Sequence, residues 1–292
     1  MLAVVAATLS VQSPAQVQAL AADGYRVAYA AGFSASDCNR VYIWNLRTRG
    51  LVKLGRRTHC QQTSTGNRIS GVSLAGTRAL WLQYQGGNRR EYTLWTATPA
   101  RPKPILVASR EVDVDDPAPI VLGAGGSERL GDMLPYAVGS TVRALRADGS
   151  RRFSWTAPGR VVALHARDGE LAVATDDSTV TILDSAGRPT GAETYEGAIR
   201  SVRVTGNGVL VHRGNRLELR DGSGARNWRV PVDSRLEDAD GARALYVHRG
   251  ELRSLRFSPY TDRLVAVASF GRLEGATLVT VNGRIVRAGP FR

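Results

Sequence analysis

The sequence is poor in several things at once. It has two cysteines, two methionines and four histidines in 292 residues, and Lys53 and Lys103 are the only lysines among 39 basic side chains. Two cysteines are too few for a disulfide-stapled scaffold. With no second Cys pair, they make no structural zinc site either. Beyond residue 12 no apolar run approaches the roughly 18–20 residues of a membrane-crossing helix, so the mature chain is expected to have no transmembrane segment. Helical periodicity is nearly absent. So are the G-x-S-x-G elbow, the Walker loop, HExxH and CxxC; the nearest approach, Gly32-Phe33-Ser34-Ala35-Ser36, lacks the second glycine. At 43% hydrophobic and 22% charged the chain is neither disordered nor collagen-like.

What is there reads as strands. Apolar residues come in runs of four to seven, rich in Val, Leu, Tyr and Trp and bounded by Gly, Asp, Asn or Ser. A strand, a glycine-bearing turn and a second apolar strand recur at Val17 to Ala30, Ile69 to Leu82, Val161 to Ala174, Ile199 to Val211 and Leu236 to Val247. A weaker copy spans Ile120 to Ala137, and a truncated one Leu273 to Val281. Second hairpins lie between them, with turns at Thr48-Arg49-Gly50, Ala100-Arg101-Pro102, Asp148-Gly149, Ser185-Ala186-Gly187, Gly222-Ser223-Gly224 and Ser258-Pro259-Tyr260. Two match in detail: Asp148-Gly149-Ser150 leads to Trp155, and Asp221-Gly222-Ser223 leads to Trp228. A four-stranded unit that cannot bury its own faces must stack on neighbours. The expectation is an all-β fold, a β-propeller of four-stranded antiparallel blades, seven in number with six as the alternative. Residues 16–292 form this single domain. Residues 1–15 are either a signal peptide or an N-terminal strand that closes the last blade.

Met1 to Leu9 is uncharged and apolar and is followed by Ser13-Pro14-Ala15, which suits a signal peptidase although a charged n-region is missing. The cysteines point the same way. Strands over Val41-Leu46 and Leu51-Leu54, turning about Arg49, would pair residues whose numbers sum to 98. That register sets Leu46 opposite Val52, Trp44 opposite Leu54, and Cys38 opposite Cys60. A Cys38–Cys60 disulfide there closes a loop worth roughly 3 kcal/mol on the chain-entropy model and belongs in an oxidising compartment. The expected localisation is therefore extracytoplasmic, secreted or in the cell envelope.

Val41-Tyr42-Ile43-Trp44-Asn45-Leu46-Arg47-Thr48 resembles the third strand of a WD40 repeat, with Asn for the usual Asp. Phe257-Ser258-Pro259-Tyr260-Thr261-Asp262-Arg263-Leu264 is similar to the strand–turn signature of WD40-like and TolB-like propellers, and the Asp-Gly…Trp units resemble quinoprotein-like repeats. The Gly-His dipeptide of WD40 repeats is absent. The resemblance implies an exported WD40-like propeller of bacterial type, and its motifs mark fold rather than activity.

Chemistry is sparse. His59, His165, His212 and His248 stand singly, at different offsets from their turn glycines, which argues against convergence on the ring axis. Glu111 to Asp116 and Asp238-Ala239-Asp240-Gly241 look at first like oxygen ligands for calcium, yet the second lacks the bidentate Glu downstream, and both read better as solvated loops. No catalytic residue, metal ligand or cofactor site is assigned. The net charge of +13 is unevenly spread. Residues 1–100 carry 11 basic and 3 acidic side chains, 101–196 carry 11 and 14, and 197–292 carry 17 and 9. Ring closure would join the two basic ends into one sector. The excess of Arg over Lys itself reads as GC-rich coding. The expected function is non-catalytic binding of a macromolecular partner, a protein or an anionic envelope polymer, through loops on one face. Gly32-to-Asn39 and Gly86-to-Glu91 are the candidate contacts. Nucleic acid is disfavoured, since no aromatics interleave with the arginines, and a monomer is expected. The rival is a sugar or lactone hydrolase or lyase with a site assembled from several blades.

Overall fold

A computed structural model describes residues 8–32, 37–56, 66–124 and 133–291. After β1 (Leu9–Gln12) come β2 (Val17–Asp23), β3 (Arg26–Ala31), β4 (Val41–Asn45) and β5 (Leu51–Lys53). The second group is β6 (Asn67–Ala75), β7 (Arg78–Gly86), β8 (Arg89–Thr98) and β9 (Arg101–Asp113). The third is β10 (Ile120–Leu122), β11 (Leu134–Val138), β12 (Thr141–Leu145) and β13 (Arg151–Thr156). The fourth is β14 (Val161–Arg167), β15 (Glu170–Thr175), β16 (Thr179–Leu183) and β17 (Pro189–Thr194). The fifth is β18 (Ile199–Thr205), β19 (Gly208–Arg213), β20 (Arg216–Asp221) and β21 (Gly224–Arg229). The sixth is β22 (Arg235–Ala239), β23 (Arg243–His248), β24 (Glu251–Phe257) and β25 (Tyr260–Val267), and the chain ends with β26 (Phe270–Glu274), β27 (Thr277–Asn282) and β28 (Ile285–Pro290).

Each of the first six groups is one antiparallel sheet in sequence order. The seventh sheet joins the two ends of the chain in the order β26-β27-β28-β1, with Leu9 opposite Ala288 and Gln12 opposite Ile285. The innermost strands touch in the cycle β2, β6, β10, β14, β18, β22, β26 and back to β2. The chain is a seven-bladed β-propeller.

The core lies between blades rather than within them. The described residues form seven apolar clusters, one at each interface between adjacent blades. Strand alternation supplies both sides: on β2, Ala19 and Ala21 face the second blade while Val17 and Leu20 face the seventh. Trp81, fully buried, fills the first-to-second interface with Trp95 beside it, and Trp155 and Trp228 do the same further round. Truncating such an aromatic costs about 3–5 kcal/mol.

Side-chain oxygens shape the outer turns. Asp148 accepts the Ser150 N–H, Asp184 the Ala186 N–H and Asp221 the Ser223 N–H, each at 2.8–2.9 Å. These are Asx-turns, which carry the chain from third strand to fourth. Asn45 does the same, accepting from the Arg47 and Thr48 amides at 2.9 and 3.1 Å. That turn corrects the expected register. The pairs are Tyr42–Lys53, Ile43–Val52 and Trp44–Leu51, summing to 95 rather than 98. Asn45 ends the strand, so Leu46 leaves the ladder, donates to the Tyr25 carbonyl at 2.8 Å and is buried. The register no longer sets Cys38 opposite Cys60. Cys38 is fully buried, whereas Cys60, and with it the pairing, lies outside the described residues.

Candidate functional site

The seven inner strands enclose an axial channel. Near the beginnings of five of them the ladder slips by one residue, leaving Gln18, Ser70, Val162, Arg200 and Glu237 unpaired. A bulge bends its strand and re-aims the extra side chain, and bulges recur at functional rims. All five unpaired residues line one cavity of about 340 Å³ at this end of the channel. Leu20, Val72, Ala124 and Arg272 line both it and a smaller cavity of about 90 Å³ towards the other end, so the two adjoin.

The mouth is cationic. Arg68 from β6, Arg200 and Arg203 from β18, Arg235 from β22 and Arg272 from β26 line it, and Glu237 is the one acidic side chain among its lining residues. Glu237 is only 3% exposed and is already engaged. One carboxylate oxygen accepts from Arg235 Nε. The other accepts from Arg272 Nη1 at 2.8 Å and from the Gly271 amide at 3.4 Å. Arg235 also lies over the Phe270 ring, 4.8 Å from its centroid. Arg203 donates to the carbonyls of Val202 (2.7 Å), Leu236 (3.1 Å) and Glu237 (2.9 Å), while its buried Nε has no partner among the described residues. Burial, and then the neighbouring Arg272 charge, push the Arg203 guanidinium down to about 10. Arg68 and Arg200 are exposed and make no ion pair or hydrogen bond with the described residues.

Towards the other end, His165 is the one described histidine on an inner strand; His212 and His248 stand on the second strands β19 and β23. The three do not converge, and His59 lies outside the described residues. His165 Nδ1 accepts the Val204 N–H at 3.0 Å. Burial, followed by the charges of Arg203, Arg167 and Arg272, holds its pKa well below the usual histidine value. It is a neutral ring fixed by a backbone bond between the fourth and fifth blades.

The acidic segments are structural. Arg89 sits 3.5 Å from Glu111 and 3.6 Å from Asp113 on the solvated outer edge of the second blade. Asp238 accepts the Ala239 and Leu273 amides, and Asp240 accepts those of Ala242 and Arg243. Among the described residues no group of three His, Cys, Asp or Glu is placed to hold a metal ion.

Both candidate contact loops rise at the mouth end. Asn67, beside Arg68, pairs with Gln85, which pairs with Glu91, so the Gly86-to-Glu91 turn stands over that end. Gly32 donates to the Gln16 carbonyl just before β2, which places the start of Gly32-to-Asn39 there too; its residues 33–36 lie outside those described. The arginines of the mouth were not singled out from the sequence. The available signal was an inner-strand pattern in which a polar residue interrupts the apolar run one place after its start, as in Ile199-Arg200-Ser201 and Leu236-Glu237-Asp238.

No family model matches the sequence, and no curated protein matches it. Solved structures do match in fold. A chain of the mitotic checkpoint complex superposes with a TM-score of 0.61 at 14% identity, covering 97% of this chain and 91% of that one. Saccharomyces cerevisiae Sqt1 gives 0.53 at 11% identity, covering 97% and 98%. At these identities the likeness shows a shared fold.

Proposed function

We propose that this chain is a non-catalytic, extracytoplasmic binding propeller that takes a macromolecular partner with an acidic surface on the face carrying the arginine mouth. One observation carries the reading: five arginines from four blades converge on one end of the channel, and the only carboxylate among them is engaged by two of them. A carboxylate so committed is a poor general base, which weighs against a hydrolase or lyase at this mouth. The two loops at that end widen the surface. An assembly role also fits the kinship in fold with a chain of the mitotic checkpoint complex. Export is argued from the expected Cys38–Cys60 disulfide, which would need an oxidising compartment.

An acidic polypeptide and an anionic envelope polymer are the two partner classes, and a protein is favoured because one fold neighbour is a chain of an assembled complex. The test immobilises an acidic protein, an anionic envelope polymer and a neutral glycan and measures capture across a salt series. Capture by an acidic ligand that fades with salt and is lost in the Arg68→Glu/Arg200→Glu double variant is expected, because exposed charges are screened over about 8–10 Å near physiological ionic strength. Absence of capture at low salt, or capture indifferent to the double variant, overturns the reading.

A further inference from the structure

We propose that the channel mouth is a discrete site for a compact multivalent phosphate-class anion, one presenting two or more phosphoryl groups to Arg68, Arg200, Arg203 and Arg272. The proposal rests on the reading of this mouth as a binding face and deepens it by naming the chemistry of the occupant.

Charge density is the first argument. Five guanidiniums against one carboxylate leave four positive charges in excess around one cavity. A phosphoryl group carries about −1.5 to −2 at neutral pH, so two of them match that excess. Size is the second. A cavity of about 340 Å³ is of small-ligand size and admits a small, highly charged group rather than a folded surface. A carboxylate-rich segment brings only one charge per side chain, with a peptide backbone to accommodate as well.

Preorganisation is the third. Arg203 is clamped by three backbone carbonyls, and Arg272 by Glu237 and the Gly271 carbonyl. Both grow from inner strands locked into the ring, so little side-chain entropy is left to lose on binding. Like charges held this close repel, and an oxyanion between them relieves that repulsion. The Arg203 pKa is lowered first by burial and then by the charge of Arg272. Among the described residues the buried Arg203 Nε and the heads of Arg68 and Arg200 remain as donors with no acceptor. The guanidinium fork meets phosphate oxygens two at a time. Nucleic acid fits less well, because the one aromatic ring of the mouth, Phe270, is covered by Arg235.

The experiment is calorimetric titration of the full chain at fixed ionic strength. The probes are inorganic tripolyphosphate, a short glycerol-phosphate oligomer, sulfate and citrate. Tripolyphosphate or the oligomer is expected to bind in one-to-one ratio, at least tenfold tighter than citrate or sulfate. Tighter binding of tripolyphosphate assigns the phosphates to a free ligand; tighter binding of the oligomer assigns them to a polymer. Arg68→Gln and Arg200→Gln break no side-chain hydrogen bond or ion pair with the described residues, so their circular dichroism should match the parent while each weakens binding at least tenfold. Absence of saturable binding, equal affinity for citrate, or unchanged affinity in the Arg68→Gln/Arg200→Gln double variant overturns the proposal. Failure here is distinguishable from failure of the binding-propeller reading. Salt-sensitive capture of an acidic protein that tripolyphosphate does not displace removes the phosphate site and leaves that reading. Tight tripolyphosphate binding with no macromolecular capture does the reverse.

Discussion

Replacing Glu237 by glutamine separates two effects that usually travel together. The carboxylate is 3% exposed and holds Arg235 and Arg272, one on its own blade and one on the next. Glutamine keeps the shape and one acceptor oxygen but turns an NH2 group towards a guanidinium and removes the only negative charge in the mouth. Breaking a buried ion pair by neutralising one partner costs about 3–5 kcal/mol. Arg235 is 57% exposed, so its share is screened and the lower end applies, about 3 kcal/mol. In a chain of 292 residues that lowers the melting temperature by about 5 °C. The mouth meanwhile gains one unit of positive charge, so tripolyphosphate should bind the variant more tightly than the parent. Calorimetric melting and anion titration on the same preparation read both. A stability change within about 0.5 kcal/mol, the range of an ordinary surface substitution, would refute the hub assignment. Weaker anion binding in the variant would refute the electrostatic account of the mouth.

Three further outcomes are expected. His212 is buried on β19, with Nε2 unpartnered, and burial followed by the Arg200 charge pushes its pKa down to about 4. The unfolded ring takes its proton first, near pH 6.5. The stability that the neutral ring contributes is therefore full above that pH, falls by about 3 kcal/mol as the pH drops, and levels off below about 4. Urea midpoints of His212→Gln across this window should show a flatter profile, and a profile unchanged by the substitution contradicts the assignment. Deleting residues 1–15 removes β1 and uncovers β28, and the lost ladder and the burial of Leu9 and Val11 amount to roughly 2–4 kcal/mol. A truncated chain as stable as the full one would instead restore the leader reading of this segment. Intact mass of the exported protein should be lighter by two hydrogens than the dithiol form, and reduction should cost roughly 3 kcal/mol; two free thiols would remove the Cys38–Cys60 bond and the compartment argument built on it.

The blades were legible because their causes are local. Alternating burial, as along Ile285 to Ala288 of β28, and Asx-turns at Asp148, Asp184 and Asp221 leave a period-two pattern with turn residues at fixed offsets. From them the four-stranded unit, its repetition and the need to stack into a ring could be argued. The one register that failed did so for a reason equally local: Asn45 caps its own turn and ends β4 before Leu46. Glycine at position 50 drew the turn centre too far along the chain. The shared basic sector of the two chain ends followed from counting charges, once closure was assumed.

The mouth was not legible. Arg68 and Arg272 lie 204 residues apart in the sequence and meet only because closure brings every inner strand to the axis. Strand alternation alone would leave Arg200 and Glu237 in the ladder. The bulges at Ile199/Ser201 and Leu236/Asp238 take them out of it, and a bulge is set by how a strand packs against its neighbours. The sequence by itself determined the blade, since backbone pairing and turn chemistry act over a few residues. Only the tertiary structure decided the site, because its charges are additive in space and not along the chain.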